Sequence, residues 1–298
     1  MRRAIPLVLP VLAAVLLVAG CGSERAGAQG GADGGGEAGG GSASPRGPVS
    51  DPGVDGVRIT GVSVPSPGAA SDVSATYEIA NDGTEALTYT ILFDFTTSTG
   101  EVMANTRQTV RDVEPDRGAR GTVAMPPSTV SVHDVTQVKI SQVTSVPVDE
   151  APAEPGDCPA SGVRVTADEG DAAMGLRVVG LWLENCGTGA YRIDGYPRLS
   201  LLDDEREPVD GVRILRGSGG ITTAVPGIDD PPRPVTLRPG ERARATLVWR
   251  NTVGSGTAVD VPYVRVRAKA DAAPVMVTPH LDLGTTGKLG VGPWRAER

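Results

Sequence analysis

Aromatic residues are scarce in this sequence and make up only 3% of the chain. The apolar interior must therefore be built mainly from Val, Leu and Ile, which favours small β-domains over one large enzyme core. No segment keeps a helical apolar periodicity for three turns, so we expect no long helices. These two absences together predict an all-β protein.

Basic residues are outnumbered, because 28 Lys and Arg stand against 36 Asp and Glu, for a formal net charge of −8 at pH 7. Nucleic-acid binding needs clustered cations that neutralise phosphates, so this balance argues against a nucleic-acid partner. It also argues against a polybasic segment as a second membrane anchor. The basic residues are nearly all Arg, which together with abundant Ala, Gly, Val and Pro is typical of a high-GC genome such as an actinobacterial one.

Histidine is nearly absent, and the catalytic and metal sites that depend on it have little support. His133 and His280 are the two histidines, and no pair of Cys or His has metal-ligand spacing. Ser131, His133 and Asp134 have the residue types of a hydrolase triad, but neighbours in an extended segment point to opposite faces. We therefore predict no metal, no cofactor and no catalytic residue.

The acidic and Gly-rich segments also lack the spacing of ligand loops. Asp203–Glu205 and Asp229–Asp230 do not alternate as a calcium loop requires, so solvated turns explain them better. Gly217–Gly220 is not followed by Lys-Ser or Lys-Thr, so a phosphate loop is not supported.

The stretch Arg216–Pro234 is the least strand-like part of the C-terminal half. Long loops on β-sandwiches often carry recognition. We therefore name it a candidate binding loop, with Ser218, Asp229 and Asp230 as its candidate contact residues. A solvated loop without a partner is the alternative.

The first 21 residues have the pattern of a bacterial lipoprotein signal peptide. A positive segment, Met1–Arg3, precedes an apolar run from Ala4 to Leu17, and Val18–Gly20 leads to Cys21. In this pattern the Cys21 sulfur receives a diacylglycerol, residues 1–20 are removed, and the new amine is acylated, for example with palmitate. The pattern predicts a protein anchored by lipid on the extracytoplasmic face of the cell membrane.

Two other readings of this segment remain open. A retained transmembrane helix would need roughly 20 apolar residues, whereas Pro6 and Pro10 interrupt a shorter run. An ordinary secretory signal also ends in small residues, and the cysteine would then be a coincidence.

The segment 22–56 contains Gly, Ala, Ser, Pro and charged residues, with no aromatic residue, Leu, Ile or Met. It cannot bury enough apolar area to offset chain entropy, so we expect disorder from Cys21 to residue 56. As a flexible coil it would have a mean span of roughly 33 Å. This predicts a tether that holds the folded part away from the lipid surface.

Two β-domains are predicted after the tether, at residues 57–148 and 158–298, with a Pro- and acid-rich linker at 149–157. In the first, Tyr89, Ile91, Phe93 and Phe95 alternate with less apolar residues, which is the period of a strand with one buried face. Short alternating strands separated by turn signals suit two immunoglobulin-like sandwiches. A weak internal repeat, Asn81-Asp82-Gly83-Thr84 against Asn185-Cys186-Gly187-Thr188, fits either two related domains or simply favourable turn chemistry.

Three cysteines in an exported chain leave two once Cys21 is acylated. Cys158 and Cys186 would then pair in an oxidising compartment, and closing that loop would contribute roughly 3.5 kcal/mol. Two free buried thiols are the alternative.

The C-terminal half resembles a known family. The resemblance rests on Leu183–Thr188, then Gly195-Tyr196-Pro197 and its strand to Asp203, then Val235–Ala243 and the strand that ends at Trp249. This order is similar to the actinobacterial exported "domain of unknown function 4232". The resemblance implies an all-β, immunoglobulin-like domain common in lipoproteins, and it implies no activity.

These observations predict a non-catalytic protein that binds or scaffolds at the cell envelope. Its partners would be membrane lipid, through acylated Cys21, and an envelope protein or glycan. The alternatives are a cell-envelope enzyme such as a hydrolase without a recognisable motif, or the solute-binding lipoprotein of a transporter.

Overall fold

The computed structural model describes residues 52–65, 73–127 and 135–297, which belong to one compact unit. The predicted signal peptide, Cys21 and most of the predicted tether lie outside the described residues, as do Ser131, His133 and Asp134. Near the end of the predicted tether, Val54 and Val57 already exchange two backbone hydrogen bonds of 2.8 Å. No helix within the described ranges is long and apolar enough to cross a membrane.

The described chain is all-β, as predicted, and its strands form sandwiches. The first sandwich contains β1 (Val57–Ser63), β2 (Ser74–Asn81), β3 (Leu87–Thr96), β4 (Val102–Val113), β5 (Arg117–Ala124) and β6 (Gln137–Pro147). One antiparallel sheet has the order β1-β2-β5 and the other has the order β4-β3-β6. The predicted alternation on β3 is confirmed, because Ile91, Phe93 and Phe95 are fully buried between the sheets.

The second sandwich has more and shorter strands. They are β7 (Val163–Ala167), β8 (Asp171–Ala173), β9 (Leu176–Asn185), β10 (Tyr191–Ile193), β11 (Arg198–Leu202), β12 (Arg213–Arg216), β13 (Val235–Leu237), β14 (Arg242–Arg250), β15 (Asp260–Val261), β16 (Tyr263–Arg267), β17 (Val275–Val277), β18 (Leu281–Asp282), β19 (Lys288–Val291) and β20 (Arg295–Ala296). The larger sheet has the order β12-β19-β14-β9-β7, and the facing sheet has the order β11-β16-β17. Leu181, Leu247 and Trp294 lie in the core between them.

The repeated Asn motif has the same tertiary role in both sandwiches. Asn81 is 1% exposed, and its Nδ2 donates to the carbonyls of Glu85 (2.9 Å) and Val113 (2.7 Å). Asn185 is also 1% exposed, and its Nδ2 donates to the carbonyls of Gly189 and Leu237, both at 2.8 Å. Each asparagine therefore ties its own hairpin turn to a strand far away in the sequence.

The turn that follows each of those distant strands is also equivalent. Val113 is followed by Glu-Pro-Asp and Leu237 by Arg-Pro-Gly, and the third residue of each turn has positive φ, 55° at Asp116 and 83° at Gly240. The backbone N–H of Asp116 donates to the carbonyl of Asn81, as that of Gly240 does to Asn185. Shared long-range bonds of this kind favour two related sandwiches over turn chemistry alone.

Candidate functional site

The two sandwiches meet through a small apolar cluster. Val146 from β6 packs with Leu202, Tyr263 and Met276 of the second sandwich, and all four are less than 9% exposed. Ala151, from the segment between the sandwiches, packs against this cluster. Burial of this apolar surface gives the junction a dry centre.

Polar groups of the second sandwich cap the edge of β6. Among the described residues the one sheet neighbour of β6 is β3. The N–H of Ser145 donates to the Tyr263 hydroxyl at 3.2 Å, and Arg206 Nη1 donates to the Ser145 carbonyl at 3.3 Å. Arg206 also pairs with Glu85 at 3.0 Å. Unpaired strand edges are otherwise open to other chains, so these contacts both protect the edge and fix the junction.

The predicted linker is held from both sides. It begins with a 3-10 turn at Val148–Glu150. The Glu150 carboxylate, with a side chain 13% exposed, pairs with Arg265 of β16 at 2.7 Å. The Glu154 carboxylate pairs with Arg111 of β4 at 2.9 Å. The backbone carbonyl of Glu154 accepts a hydrogen bond from Arg164 of β7. Both sandwiches therefore fix the path of the linker.

A cleft of about 590 Å³ lies between the fixed sandwiches. Its floor is the outer face of the β4-β3-β6 sheet, and its walls come from 152–155, 166–169 and 277–280. Cavities of roughly 300–1,000 Å³ are the usual size for small-molecule sites.

The cleft floor carries threonine hydroxyls in register. Thr90 of β3 pairs with Thr109 of β4 on one side and with Thr144 of β6 on the other. Neighbouring strands lie about 4.8 Å apart, so the three side chains form a row across the sheet. Thr88 lies two residues along β3 on the same face. We call Thr88, Thr90, Thr109 and Thr144 the threonine floor.

Thr88 has an unsatisfied hydroxyl. Its side chain lines the cleft, the residue is 3% exposed, and its Oγ1 has no hydrogen-bond partner among the described residues. Opposite Thr88 the β3–β4 register shifts, and Asp112 has a φ of 55°. This bulge places Arg111 beside the cleft. A buried hydroxyl without a partner costs free energy. The Thr88 Oγ1 atom is itself inaccessible, so the hydroxyls that face the cleft are those of the other threonines of the floor.

Arg107, Gln142 and His280 form one rim. Arg107 and Gln142 flank Leu92 in the sheet, and the Gln142 side chain contacts Nε2 of His280. Desolvation lowers the pKa of His280, Arg107 lowers it further, and Asp204 opposes them. His280 is therefore held in its neutral form at pH 7, where it can donate or accept a hydrogen bond.

The adjoining wall has charges that are already paired. The Asp168 carboxylate accepts from the Gly180 N–H at 2.7 Å and from Trp182 Nε1 at 3.1 Å, and it pairs with Arg244 at 3.4 Å. The Arg244 guanidinium also lies 5.3 Å from the centroid of a Trp182 ring. Asp168 is thus engaged in holding the wall together.

Two of the three residues predicted as contacts in the candidate binding loop bond to each other, and the third pairs with another residue of the chain. Ser218 is 6% exposed, and its N–H donates to the Asp229 carboxylate at 2.7 Å. Asp230 is exposed and pairs with Arg295 at 3.3 Å. Ile228 between them is 2% exposed. Ser218 and Asp229 are therefore joined within the loop, while Asp229 and Asp230 are both exposed to solvent.

The predicted disulfide is present, since Cys158 and Cys186 are bonded with their Cα atoms 5.6 Å apart. It joins the start of the second sandwich to the turn that Asn185 holds.

The acidic run at Asp203 forms a turn in which the Asp203 carboxylate accepts from the N–H groups of Glu205 and Glu207. In the described ranges no group of three His, Cys, Asp or Glu residues could hold a metal ion.

The cleft could not be predicted from the sequence. Thr88 and Thr90 occupy the outward positions of β3, but polar residues at those positions are equally consistent with a sheet face that is simply exposed to solvent. The opposite wall, at 277–280, lies almost 190 residues away in the chain. No local pattern links the two.

Comparison with known proteins gives one family. No curated protein matches the sequence. The crystal structure of red sea bream transglutaminase is similar at a TM-score of 0.20 and 10% identity, over 80% of this chain and 31% of that one. A TM-score this low supports no statement on fold or activity. Residues 158–295 match the family described as "Domain of unknown function (DUF4232)". The matched residues span the second sandwich, with its disulfide, its Asn185 turn and its Arg-Pro-Gly corner, so this part of the chain matches the DUF4232 family.

Proposed function

We propose that this chain is a lipid-anchored, extracytoplasmic binding protein of the cell envelope, and that the cleft between its sandwiches is the ligand site. Acylated Cys21 would attach it to membrane lipid, and an envelope protein or glycan would occupy the cleft. The observation that carries the proposal is the rigid junction, which holds both walls of a polar cleft in place before any ligand arrives.

The titratable groups favour binding over catalysis. An enzyme would gather several groups with shifted pKa values in its cleft. His280 is such a group on the cleft rim, but the carboxylates with lowered pKa values lie outside the cleft. Hydrogen bonds from Arg58 and Arg164 lower the pKa values of Glu78 and Glu184, which are held in ion pairs on strand surfaces. For Asp282, desolvation raises the pKa, but the hydrogen bonds from Trp249 and Asn251 outweigh it and the net pKa is lowered. These carboxylates support the fold.

The anchor is tested by changing the acylated residue. Cys21→Ser should release the protein from membranes and abolish labelling with an alkyne-bearing palmitate, because serine offers no sulfur for the diacylglycerol. Ser23→Ala, two residues away, is the matched control and should stay labelled and membrane-bound. A Cys21→Ser protein with unchanged mass and unchanged membrane retention would overturn the anchor.

The cleft is tested by site-specific crosslinking in cells. A benzoylphenylalanine at position 109 would lie on the threonine floor, and one at position 99 would lie on an exposed hairpin of the same sandwich. We expect adducts from position 109 but not from position 99, and we expect Thr90→Trp to remove them by filling the cleft.

Two results would contradict the assignment of the cleft. Equal adducts at positions 109 and 99 would mean that contact there is unspecific. Adducts from position 223, in the candidate binding loop, without adducts from position 109 would move the site to that loop.

A further inference from the structure

We infer that the cleft binds a short oligosaccharide that carries a carboxylate, with the acid group on Arg107 and the sugar hydroxyls on the threonine floor. The inference rests on the proposed function of the cleft as a ligand site. It adds the chemical class of the ligand and the residues that recognise it.

The hydroxyls of the threonine floor point to a ligand that both donates and accepts hydrogen bonds. Thr90, Thr109 and Thr144 line the cleft and lie in register across three strands. A threonine hydroxyl is one donor and two acceptors, and so is a sugar hydroxyl. A ligand hydroxyl can therefore bond to this row in either orientation, whereas an amide N–H or a carbonyl meets only half of that capacity.

The spacing of the floor fits a chain of sugars. The threonine row crosses three strands at intervals of about 4.8 Å, and the floor continues along β3 from Thr88 to Leu92 for roughly 13 Å. Thr166 and Thr278 add hydroxyl-bearing residues on the second sandwich. Hydroxyl groups therefore line the cleft on the floor and on the wall from the second sandwich, which suits a sugar because its hydroxyls project from all sides of the ring.

Arg107 supplies a cation that the protein leaves free. Arg111, on the same strand, is engaged by Glu154 at 2.9 Å. Arg107 is exposed and has no ion-pair partner among the described residues. Guanidinium groups bind carboxylates through two parallel hydrogen bonds. The neutral His280 beside Arg107 does not compete for the acid group and can bond to a neighbouring hydroxyl.

Four probes decide the ligand class, each titrated into the full-length chain in detergent micelles by calorimetry. They are trigalacturonate, its methyl ester with the same hydroxyls but no charge, triglucosamine as a cationic sugar, and triglutamate as an acidic peptide. We expect trigalacturonate to bind about tenfold more tightly than its ester, which is the effect of one charge-assisted hydrogen-bonded pair.

Two variants assign the recognition to residues. Arg107→Gln should reduce the affinity for trigalacturonate to that for the ester and leave the ester unchanged. Thr90→Val keeps the shape but removes the hydroxyl at the centre of the row, so it should weaken both sugars by about two- to tenfold. Arg120→Gln, an exposed arginine that pairs with Glu78 on the other sheet of the same sandwich, is the matched control and should change neither affinity.

Several outcomes would overturn the inference: equal affinity for the acid and its ester, tighter binding of triglucosamine or triglutamate, or an Arg107→Gln variant that still discriminates. If no sugar binds while position 109 still forms cleft-dependent adducts in cells, the ligand class is wrong and the proposed function stands. If those adducts are also absent, both fail.

Discussion

The asparagine that ties the second sandwich together gives the sharpest test of the fold. The side chain of Asn185 makes three hydrogen bonds: its Nδ2 donates to the carbonyls of Gly189 and Leu237 at 2.8 Å, and its Oδ1 accepts from the N–H of Gly187 at 3.2 Å. Asn185→Ala removes all three and leaves the Leu237 carbonyl without this partner. At about 1 kcal/mol for each bond, the free energy of unfolding should fall by about 3 kcal/mol.

Asn185→Asp keeps the size of the side chain but removes its two N–H donors, so it distinguishes the loss of hydrogen bonds from the loss of packing. The aspartate keeps an oxygen for the Gly187 N–H but loses both donors, and it turns an oxygen toward two carbonyl oxygens. We therefore expect a loss at least as large as that of Asn185→Ala at pH 7. Thr236→Ala, on the exposed face of β13 beside Leu237, is the matched control and should change the free energy of unfolding by less than about 0.5 kcal/mol.

Urea unfolding followed by tryptophan fluorescence measures these losses. Trp182, Trp249 and Trp294 are the three tryptophans of the chain, and all lie in the second sandwich, so the signal reports on that sandwich. With an m-value of about 2 kcal/mol/M, a loss of about 3 kcal/mol lowers the urea midpoint by about 1.5 M. A loss below about 1 kcal/mol for Asn185→Ala, or an Asn185→Asp variant as stable as the parent, would refute the role of the amide.

Two further perturbations test the same sandwich. Replacing Cys158 and Cys186 together with serine opens a loop with a sequence separation of 28, so the free energy of unfolding should fall by about 3.5 kcal/mol. A reducing agent should then destabilise the parent but not the double variant, and equal urea midpoints for parent and variant would contradict this. The hydrogen bond from Arg164 lowers the pKa of Glu184 in the folded state, so its stabilisation is present above the ordinary carboxyl pKa and is lost as pH falls through the folded value. The difference in stability between the parent and Glu184→Gln should therefore shrink from pH 7 to pH 3, and a difference that is constant with pH would contradict the ion pair.

Much of the fold could be predicted because its signals are local. The alternation around Ile91 and Phe93 gave the correct strand and the correct buried face, since successive side chains of a strand point to opposite faces. The strand expected to end at Trp249 is β14, which extends to Arg250 and pairs with β9 in the larger sheet. The family motif and the disulfide were also confirmed.

The candidate site was harder, because its parts come from distant segments. Ser218 and Asp229 were singled out by loop length, but loop length does not show that the Asp229 carboxylate accepts a hydrogen bond from the Ser218 N–H. The segment at 149–157 has the composition of a linker, yet Glu150 is fixed by Arg265, 115 residues later. Composition does not reveal such a partner.

By itself, the sequence predicted an all-β chain, a resemblance to DUF4232 in its C-terminal half and one disulfide, because periodicity, motif order and cysteine count do not depend on how distant segments meet. It also raised the expectation of a lipid anchor at Cys21. Only the tertiary structure decided that the two sandwiches share a fixed junction, and that Thr90 and Arg107 face a wall from the other sandwich. The physical reason is that a cleft is a relation between two surfaces. Its shape depends on strand register, on the bulge at Asp112 and on the ion pairs across the junction, and none of these is encoded in a single local pattern.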